Sequence, residues 1–180
     1  MAYLFFPITT GIVKSRLVTT IPFLYENWKV SLEVYPTGFQ NGCESILHMT
    51  ISGNADGHGS RIPGIWTCQR DLRVFSSVNG NPNYANKPGT PLQVRRRYKI
   101  EVQQQTFKND SIYSIHLNGI TVFSITNTQP MVFQNVKVYI SDPWHPAQLG
   151  KISNVMIRSA PGKNQSHIIK HHCVFSGCVY

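Results

Sequence analysis

Alternation between apolar and polar residues is the feature that most constrains the fold of this chain. Residues 28–35 have the sequence Trp-Lys-Val-Ser-Leu-Glu-Val-Tyr, so the even positions from Trp28 to Val34 share one face and the odd positions the other. A period of two residues is that of a β-strand with one face packed into a core. No window of twelve or more residues shows the helical period, and the pattern therefore predicts an all-β chain.

The same pattern predicts short strands along most of the sequence. The dipeptide Asn118-Gly119 joins two of them and favours a type I′ hairpin turn, which needs positive φ at both central residues. Residues 53–60 and 81–91 are rich in turn-forming residues and are predicted loops. Many short strands at this spacing predict a two-sheet antiparallel jelly-roll sandwich. The predicted strands are residues 28–35, 45–52, 61–67, 72–78, 98–105, 112–117, 120–125, 136–141 and 152–158.

The length of 180 residues suits one domain, and a hydrophobic content of 41% is ample for one core. We expect an N-terminal segment (1–16), a β-sandwich domain (17–158) and a basic C-terminal tail (159–180). No apolar run approaches the about 20 residues that span a bilayer. The apolar patch at residues 3–6 lacks a basic region before it, which disfavours a signal peptide and leaves an N-terminal strand or a mature chain without its leader.

The charge balance is basic, with 17 Lys and Arg against 8 Asp and Glu and a net charge of +9, although only 14% of residues are charged. A largely neutral polar surface suits a secreted protein, and the basic excess favours anionic partners such as sulfated glycans, acidic lipids or nucleic acid. Solubility alone is an equal interpretation. Few aromatic residues interleave with the densest basic cluster, Arg95 to Lys99, which argues against nucleic acid.

The four cysteines form no CxxC motif, so a zinc cluster is disfavoured. They allow three pairings. Cys173 and Cys178 are close enough in sequence to close a small tail loop, and Cys43 and Cys68 would then join neighbouring strands, but four free thiols remain an alternative. An even count fits the oxidising extracellular compartment.

The order of the predicted segments resembles that of a known superfamily. The most distinctive stretch, Asn135 to Asn154, contains the pattern NVKVY-SDPW followed by GKISN. Over residues 17–158 the chain resembles the concanavalin A-like lectin/glucanase jelly roll of galectins, pentraxins and laminin G modules, and more narrowly an animal extracellular module. Further segments that carry the resemblance are Leu32 to Pro36, Ile46 to Met49, Arg61 to Trp66, Tyr98 to Val102 and Ile115 to Gly119.

This resemblance implies two antiparallel sheets, one of them concave, with glycan or protein binding there or on rim loops. The sugar-binding pattern of galectins, His-x-Asn-Pro-Arg, is not carried over, because no Asn-Pro-Arg follows His48.

Glycan binding favours an exposed aromatic ring that stacks on a sugar face beside polar side chains. Trp144, between a proline and His145 on an expected loop, is the first candidate, and Tyr84 is the second. We place Asp142, His145 and Arg61 in the same ligand-binding site, and Asp142 could pair with Arg61. An alternative role for Trp144 is to cap one end of the sandwich.

Two other tryptophans, Trp28 and Trp66, lie on apolar strand faces and are expected in the core.

A calcium site is a second expectation, with Asn54, Asp56 and Asp142 as ligands. Laminin G modules and pentraxins, which the chain resembles, use rim carboxylates in this way. The favoured alternative is a hairpin loop in which Asp56 makes an Asx turn. His171-His172 in the tail is a weaker metal candidate.

Catalysis is not expected. No two of the eight acidic residues are spaced by two or four positions, and no Gly-x-Ser-x-Gly, Walker or dinucleotide-binding motif occurs. We therefore predict a non-catalytic extracellular module that binds glycans or glycoproteins through loops at one end of the sandwich. The alternative is a structural protein that self-associates through the sandwich and its terminal segments; a hydrolase would need two carboxylates converging in one cleft.

Overall fold

The computed structural model describes residues 2–86, 89, 91–107 and 110–161, with the backbone alone for residues 2 and 3. Within these residues the chain forms thirteen β-strands and no helix, and none of it is a helix that could cross a membrane. The strands are β1 (Ala2–Phe6), β2 (Thr10–Gly11), β3 (Arg16–Leu24), β4 (Asn27–Pro36), β5 (Cys43–Thr50), β6 (Gly64–Cys68), β7 (Asp71–Val78), β8 (Asn81–Asn86), β9 (Tyr98–Phe107), β10 (Asp110–Leu117), β11 (Ile120–Asn127), β12 (Phe133–Ile140) and β13 (Gly150–Ala160).

The strands form two antiparallel sheets, as the sequence predicts. The seven-stranded sheet has the order β1-β13-β4-β9-β10-β11, with β2 also paired to β13. The six-stranded sheet has the order β3-β12-β5-β6-β7-β8. Consecutive strands often lie in different sheets, which is the connectivity of a jelly roll rather than of a simple meander.

One hydrophobic core fills the space between the sheets. On β4 the side chains of Trp28, Val30, Leu32 and Val34 are buried, which confirms the face assigned by alternation. Trp28 packs edge-on against Tyr113 of β10, with ring centroids 6.2 Å apart. Burying these side chains is worth about 1.5–3 kcal/mol each relative to exposure, so the core is the main stabilising element.

Each of the nine predicted strands overlaps an observed one, β4 to β7 and β9 to β13. The hairpin between β10 and β11 turns at Asn118 and Gly119 with φ of 52° and 82°, the positive values predicted from the dipeptide. Asn118 also accepts a hydrogen bond from the Lys99 amide at 2.9 Å, which ties the turn to β9.

The two edge strands of the six-stranded sheet escape the sequence pattern. The predicted loop at residues 81–91 contains β8, which pairs with β7 at the edge of the six-stranded sheet. Its three asparagines and Pro82 have a turn-like composition, but an edge strand tolerates proline because one side of its backbone needs no partner. The other edge strand, β3, contains Pro22 and was not predicted either.

The N-terminal segment contributes β1 and β2, both paired with β13. The predicted domain boundaries, 1–16, 17–158 and 159–180, stay a prediction. The C-terminal tail, including Cys173, Cys178 and His171-His172, lies outside the described residues.

Cys43 and Cys68 form a disulfide between directly opposed positions of β5 and β6. This is one of the pairings that the sequence allowed.

Candidate functional site

The candidate site lies on the outer face of the six-stranded sheet, where the segment that follows β12 folds over β5 and β6. On β5, Leu47 faces the core and its neighbour His48 faces outward, opposite Gly64 of β6. The indole of Trp66 lies over Gly64, where an added Cβ would be 1.9 Å from the ring. Glycine is therefore required at position 64 to seat this tryptophan on the sheet.

Asp142 is the hub of the site, and its side chain is fully buried. Its Oδ1 accepts hydrogen bonds from the backbone amides of Trp144 at 2.9 Å and His145 at 2.7 Å. Its Oδ2 accepts one from Trp66 Nε1 at 3.0 Å. His145 Nδ1 lies 3.1 Å from both carboxylate oxygens. A buried carboxylate is tolerated only when it is satisfied in this way, so these bonds shape the loop around it.

His48 links this loop to the loop between β5 and β6. Its Nδ1 is 3.1 Å from Asp142 Oδ2, and its Nε2 is 2.7 Å from the carbonyl oxygen of Ser60. A carbonyl oxygen and a carboxylate oxygen only accept, so the imidazole ring is the donor in a hydrogen bond to either partner. Two loops far apart in sequence are thus held by one buried ring.

The environment keeps Asp142 ionised. Burial of the carboxyl acts to raise its pKa, but hydrogen bonds from His145 and His48 outweigh burial and hold the pKa well below its ordinary value of 3.8. The group is a fixed negative charge at neutral pH.

Trp144 lies at the rim of this cluster and is 45% exposed. Its ring centroid is 5.3 Å from that of His48 and 6.2 Å from that of Tyr139, and the ring also lies against Gly53. One side of the indole is therefore supported while a large part of it faces solvent. His145 beside it is also partly exposed.

Arg61 is held in a different way from the one expected. Its guanidinium packs against the rings of both Trp66 and Phe75, 5.5 and 5.1 Å from their centroids, and these two rings contact each other edge-on. The group donates to the Oδ1 atoms of Asn54 and Asp56, each at 3.2 Å, and to Asn83. The suggested pair with Asp142 does not form, because Asp142 is buried behind the ring N–H donors.

The residues proposed for calcium do not share one shell. The side-chain oxygens of Asn54 and Asp56 both accept from the Arg61 cation, whereas Asp142 belongs to the histidine cluster. In the part of the chain that the structure describes, no group of three or more His, Cys, Asp or Glu side chains is placed to hold a metal. The geometry thus adds no support to a calcium site.

Tyr84 faces the other way. It lies on β8 and packs against the core and Phe123 of the seven-stranded sheet, with centroids 6.2 Å apart. The structure thus brings Trp144, His145, Asp142 and Arg61 to one region and turns Tyr84 inward.

The site has members that the sequence analysis missed. His48 and Trp66 bind Asp142, and Phe75 stacks on Arg61. Trp66 is buried as predicted, but on the outer face of its sheet. A small depression of about 90 Å³ is lined by Arg61, Trp66, Phe75, His145 and the Cys43–Cys68 disulfide. The sequence signal that could have identified His48 is its position as the one polar residue in the apolar run 46–49.

Comparison with known proteins identifies the fold. No family model and no curated protein matches the chain. Among solved structures, a heptameric SAP-like pentraxin from Limulus polyphemus aligns with a TM-score of 0.56 and 14% identity over 84% of this chain and 73% of that one.

Two further matches are modules of carbohydrate-active enzymes. Domain 4 of the GH43 extracellular arabinanase from Geobacillus stearothermophilus, solved with arabinotriose, has a TM-score of 0.51 and 18% identity over 81% of this chain and 68% of that one. The CBM40 of a Ruminococcus gnavus IT-sialidase, bound to α2,3-sialyllactose, has a TM-score of 0.53 and 13% identity over 91% of this chain and 97% of that one. The protein therefore has the two-sheet jelly-roll sandwich fold of these concanavalin A-like structures.

Proposed function

We propose that this protein is a non-catalytic, secreted recognition module that binds glycans or glycoproteins at the Trp144 site. The observation that carries the proposal is the half-exposed indole of Trp144, supported from behind by His48. A rigid aromatic plane offers a large contact to the C–H face of a sugar ring and loses little entropy on binding.

The loop around Trp144 is organised before any ligand arrives. Asp142 holds the backbone amides of Trp144 and His145, and His48 anchors the neighbouring loop through Ser60. Preorganised groups bind more tightly because less order has to be imposed on binding. The partly exposed His145 adds a polar contact next to the ring, as sugar hydroxyls require.

The structural neighbours are consistent with this class of ligand. The arabinanase domain is described with arabinotriose and the CBM40 with sialyllactose. At 13–18% identity these matches support the fold, and the ligand class enters as an analogy. The disulfide between β5 and β6 supports an extracellular location, because such bonds persist in oxidising compartments.

The two neighbouring carboxylates on the seven-stranded sheet, Glu33 and Glu101, do not favour glycoside hydrolysis. Glu33 and Glu101 both face outward on the seven-stranded sheet, from the adjacent strands β4 and β9. A hydrogen bond from Arg97 lowers the pKa of Glu33. For Glu101, burial acts to raise the pKa, but bonds from Lys29 and Lys99 lower it overall. A glycosidase needs one carboxyl with a raised pKa as general acid, and this pair provides none.

Self-association is the second candidate, and one observation favours it. Four large apolar side chains near the N-terminus are 50–64% exposed: Phe5, Ile8, Val13 and Leu17. All four belong to one segment of thirteen residues, and exposed large apolar side chains are candidates for contact surfaces in soluble proteins. A defined oligomer in sedimentation velocity at high protein concentration, lost on Phe5→Ser with Leu17→Ser, would support this role.

The test of glycan binding is a glycan array followed by titration of the best ligand with Trp144→Ala. We expect the substitution to weaken binding at least about tenfold, since a stacked ring and its buried area are lost. Trp144→Phe should keep most of the affinity, because it retains an aromatic plane. Phe107→Ala is the matched control: that ring is also exposed, and its loss should leave affinity unchanged.

Each titration is repeated with calcium and with a chelator, which tests the Asn54, Asp56 and Asp142 prediction. A blank array from folded protein, or equal affinities of Trp144→Ala and the parent, would overturn the glycan proposal.

A further inference from the structure

The outer face of the seven-stranded sheet carries an excess of positive charge. β4, β9 and β13 run side by side in this sheet, and their register places six charged side chains on its solvent side, where Arg97, the residue before β9, adds a seventh through its ion pair with Glu33. Only two of the seven are acidic. The five cations are Lys29, Arg97, Lys99, Lys151 and Arg158, and the two carboxylates are Glu33 and Glu101.

The ion pairs on this face do not include all of its cations. Glu101 is shared by Lys29 at 2.5 Å and Lys99 at 3.2 Å, and Glu33 binds Arg97 at 2.8 Å. Lys151 and Arg158 are exposed and form no ion pair with any described residue. On the other sheet, Arg61 is paired with Asp56 and Arg73 with Asp71, whereas Lys137 of β12 forms no ion pair with any described residue.

The surplus cations sit in two clefts at opposite ends of the face. Arg158 of β13 is directly opposite Lys29 of β4, and the two line a cleft of about 290 Å³ together with Asn27 and Gln105. At the other end, Lys151 and Arg97 line a cleft of about 280 Å³. Glu33, Tyr35 and Ser153 also line the second cleft, and Glu33 is the carboxylate that pairs with Arg97. Each cleft thus holds one unpaired cation, Arg158 or Lys151, beside a second cation that is paired with a carboxylate.

The spacing between the clefts follows from the strand. Lys151 and Arg158 are both on β13, and at about 3.3 Å per residue, less the irregularity between Ser153 and Met156, they are about 20 Å apart. Ser31 and Met156 occupy the surface between the clefts and carry no charge.

We propose that this face is a second binding site, which holds a linear sulfated glycan with one anionic group in each cleft. Arg and Lys bind sulfate through charge-assisted hydrogen bonds, and Asn27, Gln105 and Ser153 offer contacts to sugar hydroxyls. The site is separate from Trp144, which lies on the other sheet, and does not depend on the function proposed there.

A sulfated glycan fits this face better than a nucleic acid does. Each strand of a nucleic acid duplex carries one phosphate per about 3.4 Å of helix axis, which favours a continuous basic stripe. Here the two unpaired cations lie in separate clefts about 20 Å apart, and the other three, Lys29, Arg97 and Lys99, are paired with carboxylates.

Two clefts on one chain predict that affinity depends on ligand length. An oligosaccharide shorter than about 20 Å reaches one cleft at a time. One that reaches both gains from the high effective concentration of its second group, and we expect its affinity to be at least about tenfold higher.

The probe is a set of size-defined heparin oligosaccharides, titrated calorimetrically at one fixed ionic strength, with a desulfated set alongside. The test variant is Lys151→Gln with Arg158→Gln, which removes one cation from each cleft and breaks no described ion pair. We expect affinity for the long oligosaccharides to fall at least tenfold and the length dependence to disappear.

The matched control is Lys137→Gln with Arg70→Gln. These are also one exposed lysine and one exposed arginine, but they belong to the six-stranded sheet and the turn after β6. The net charge falls equally, so we expect a loss of less than about threefold.

Three results would overturn the proposal: equal losses in the two double variants, affinity independent of length, or tighter binding of a single-stranded oligonucleotide of equal charge. Trp144→Ala should leave heparin binding unchanged, so failure of one site is distinguishable from failure of the other.

Discussion

At the scale of single residues, Asp142 organises the candidate site. Its buried carboxylate receives hydrogen bonds from two backbone amides, the Trp66 indole and two histidine rings. Asp142 is therefore the shared acceptor of these groups. Removing the charge therefore affects β5, β6 and the loop after β12 together.

Asp142→Asn tests this role at neutral pH. An amide of the same size cannot accept from all of these donors and leaves them without a negative partner. We expect a loss of about 3–5 kcal/mol in the free energy of unfolding, measured by urea denaturation. Asp110→Asn is the control: this acid is exposed and forms no ion pair within the described chain, so its change should stay within about 0.5 kcal/mol. A loss below 1 kcal/mol for Asp142→Asn would contradict the role of hub.

At the scale of strands, β6 joins the core to the site. Ile65 points between the sheets, and Trp66, next to it, points outward to Asp142. The strand is held to β5 by backbone hydrogen bonds and by the Cys43–Cys68 disulfide, which lies at the end nearest the depression beside Arg61. The bond therefore stabilises both the fold and one wall of the site.

Replacing both cysteines by alanine tests that contribution. The disulfide spans 25 positions of sequence, and closing a loop of that length is worth about 3 kcal/mol through the entropy of the unfolded chain. We expect unfolding in urea at a correspondingly lower midpoint. The parent protein treated with a reductant should reach the same midpoint, whereas the reductant should not move the variant. A midpoint unchanged by the substitution would show that the sheet alone holds β5 and β6 together.

At the scale of the whole molecule, three carboxyl groups link stability to pH. The pKa values of Asp142, Glu33 and Glu101 are all lower in the folded protein than their ordinary values of 3.8 for Asp and 4.5 for Glu. The folded state therefore binds protons less readily than the unfolded chain. This stabilisation is complete above the unfolded pKa values and is lost as pH falls through the lower, folded ones.

We accordingly expect the urea midpoint to fall steeply below about pH 4.5 as these groups protonate. The fall should be shallower in Asp142→Asn, because one of the three groups no longer titrates. Midpoints measured at intervals between pH 7 and pH 2 check both points. Equal slopes for the parent and Asp142→Asn would show that Asp142 does not titrate as its contacts indicate.

The sequence by itself determined the class of fold and most of its strands. Side chains in a strand alternate between two faces whatever the tertiary context, so Trp28 to Val34 identified a strand with one buried face. The hairpin at Asn118-Gly119 was also predictable from local sequence, because its turn needs positive φ at both residues and these two residue types adopt it readily. Trp144 was singled out from its own segment, between a proline and a histidine.

Only the tertiary structure decided which residues meet. His48 and Asp142 are 94 positions apart and share a hydrogen bond because β5 and β12 are neighbours in one sheet. Tyr84 was the second ring candidate from the sequence, but the pairing of β8 turns it toward the core. The edge strands β3 and β8 were hidden by their prolines, since only the complete sheet shows which backbone groups need no partner. Register across strands is a long-range property, and it alone brings Lys29 to Arg158 and Trp66 to Asp142.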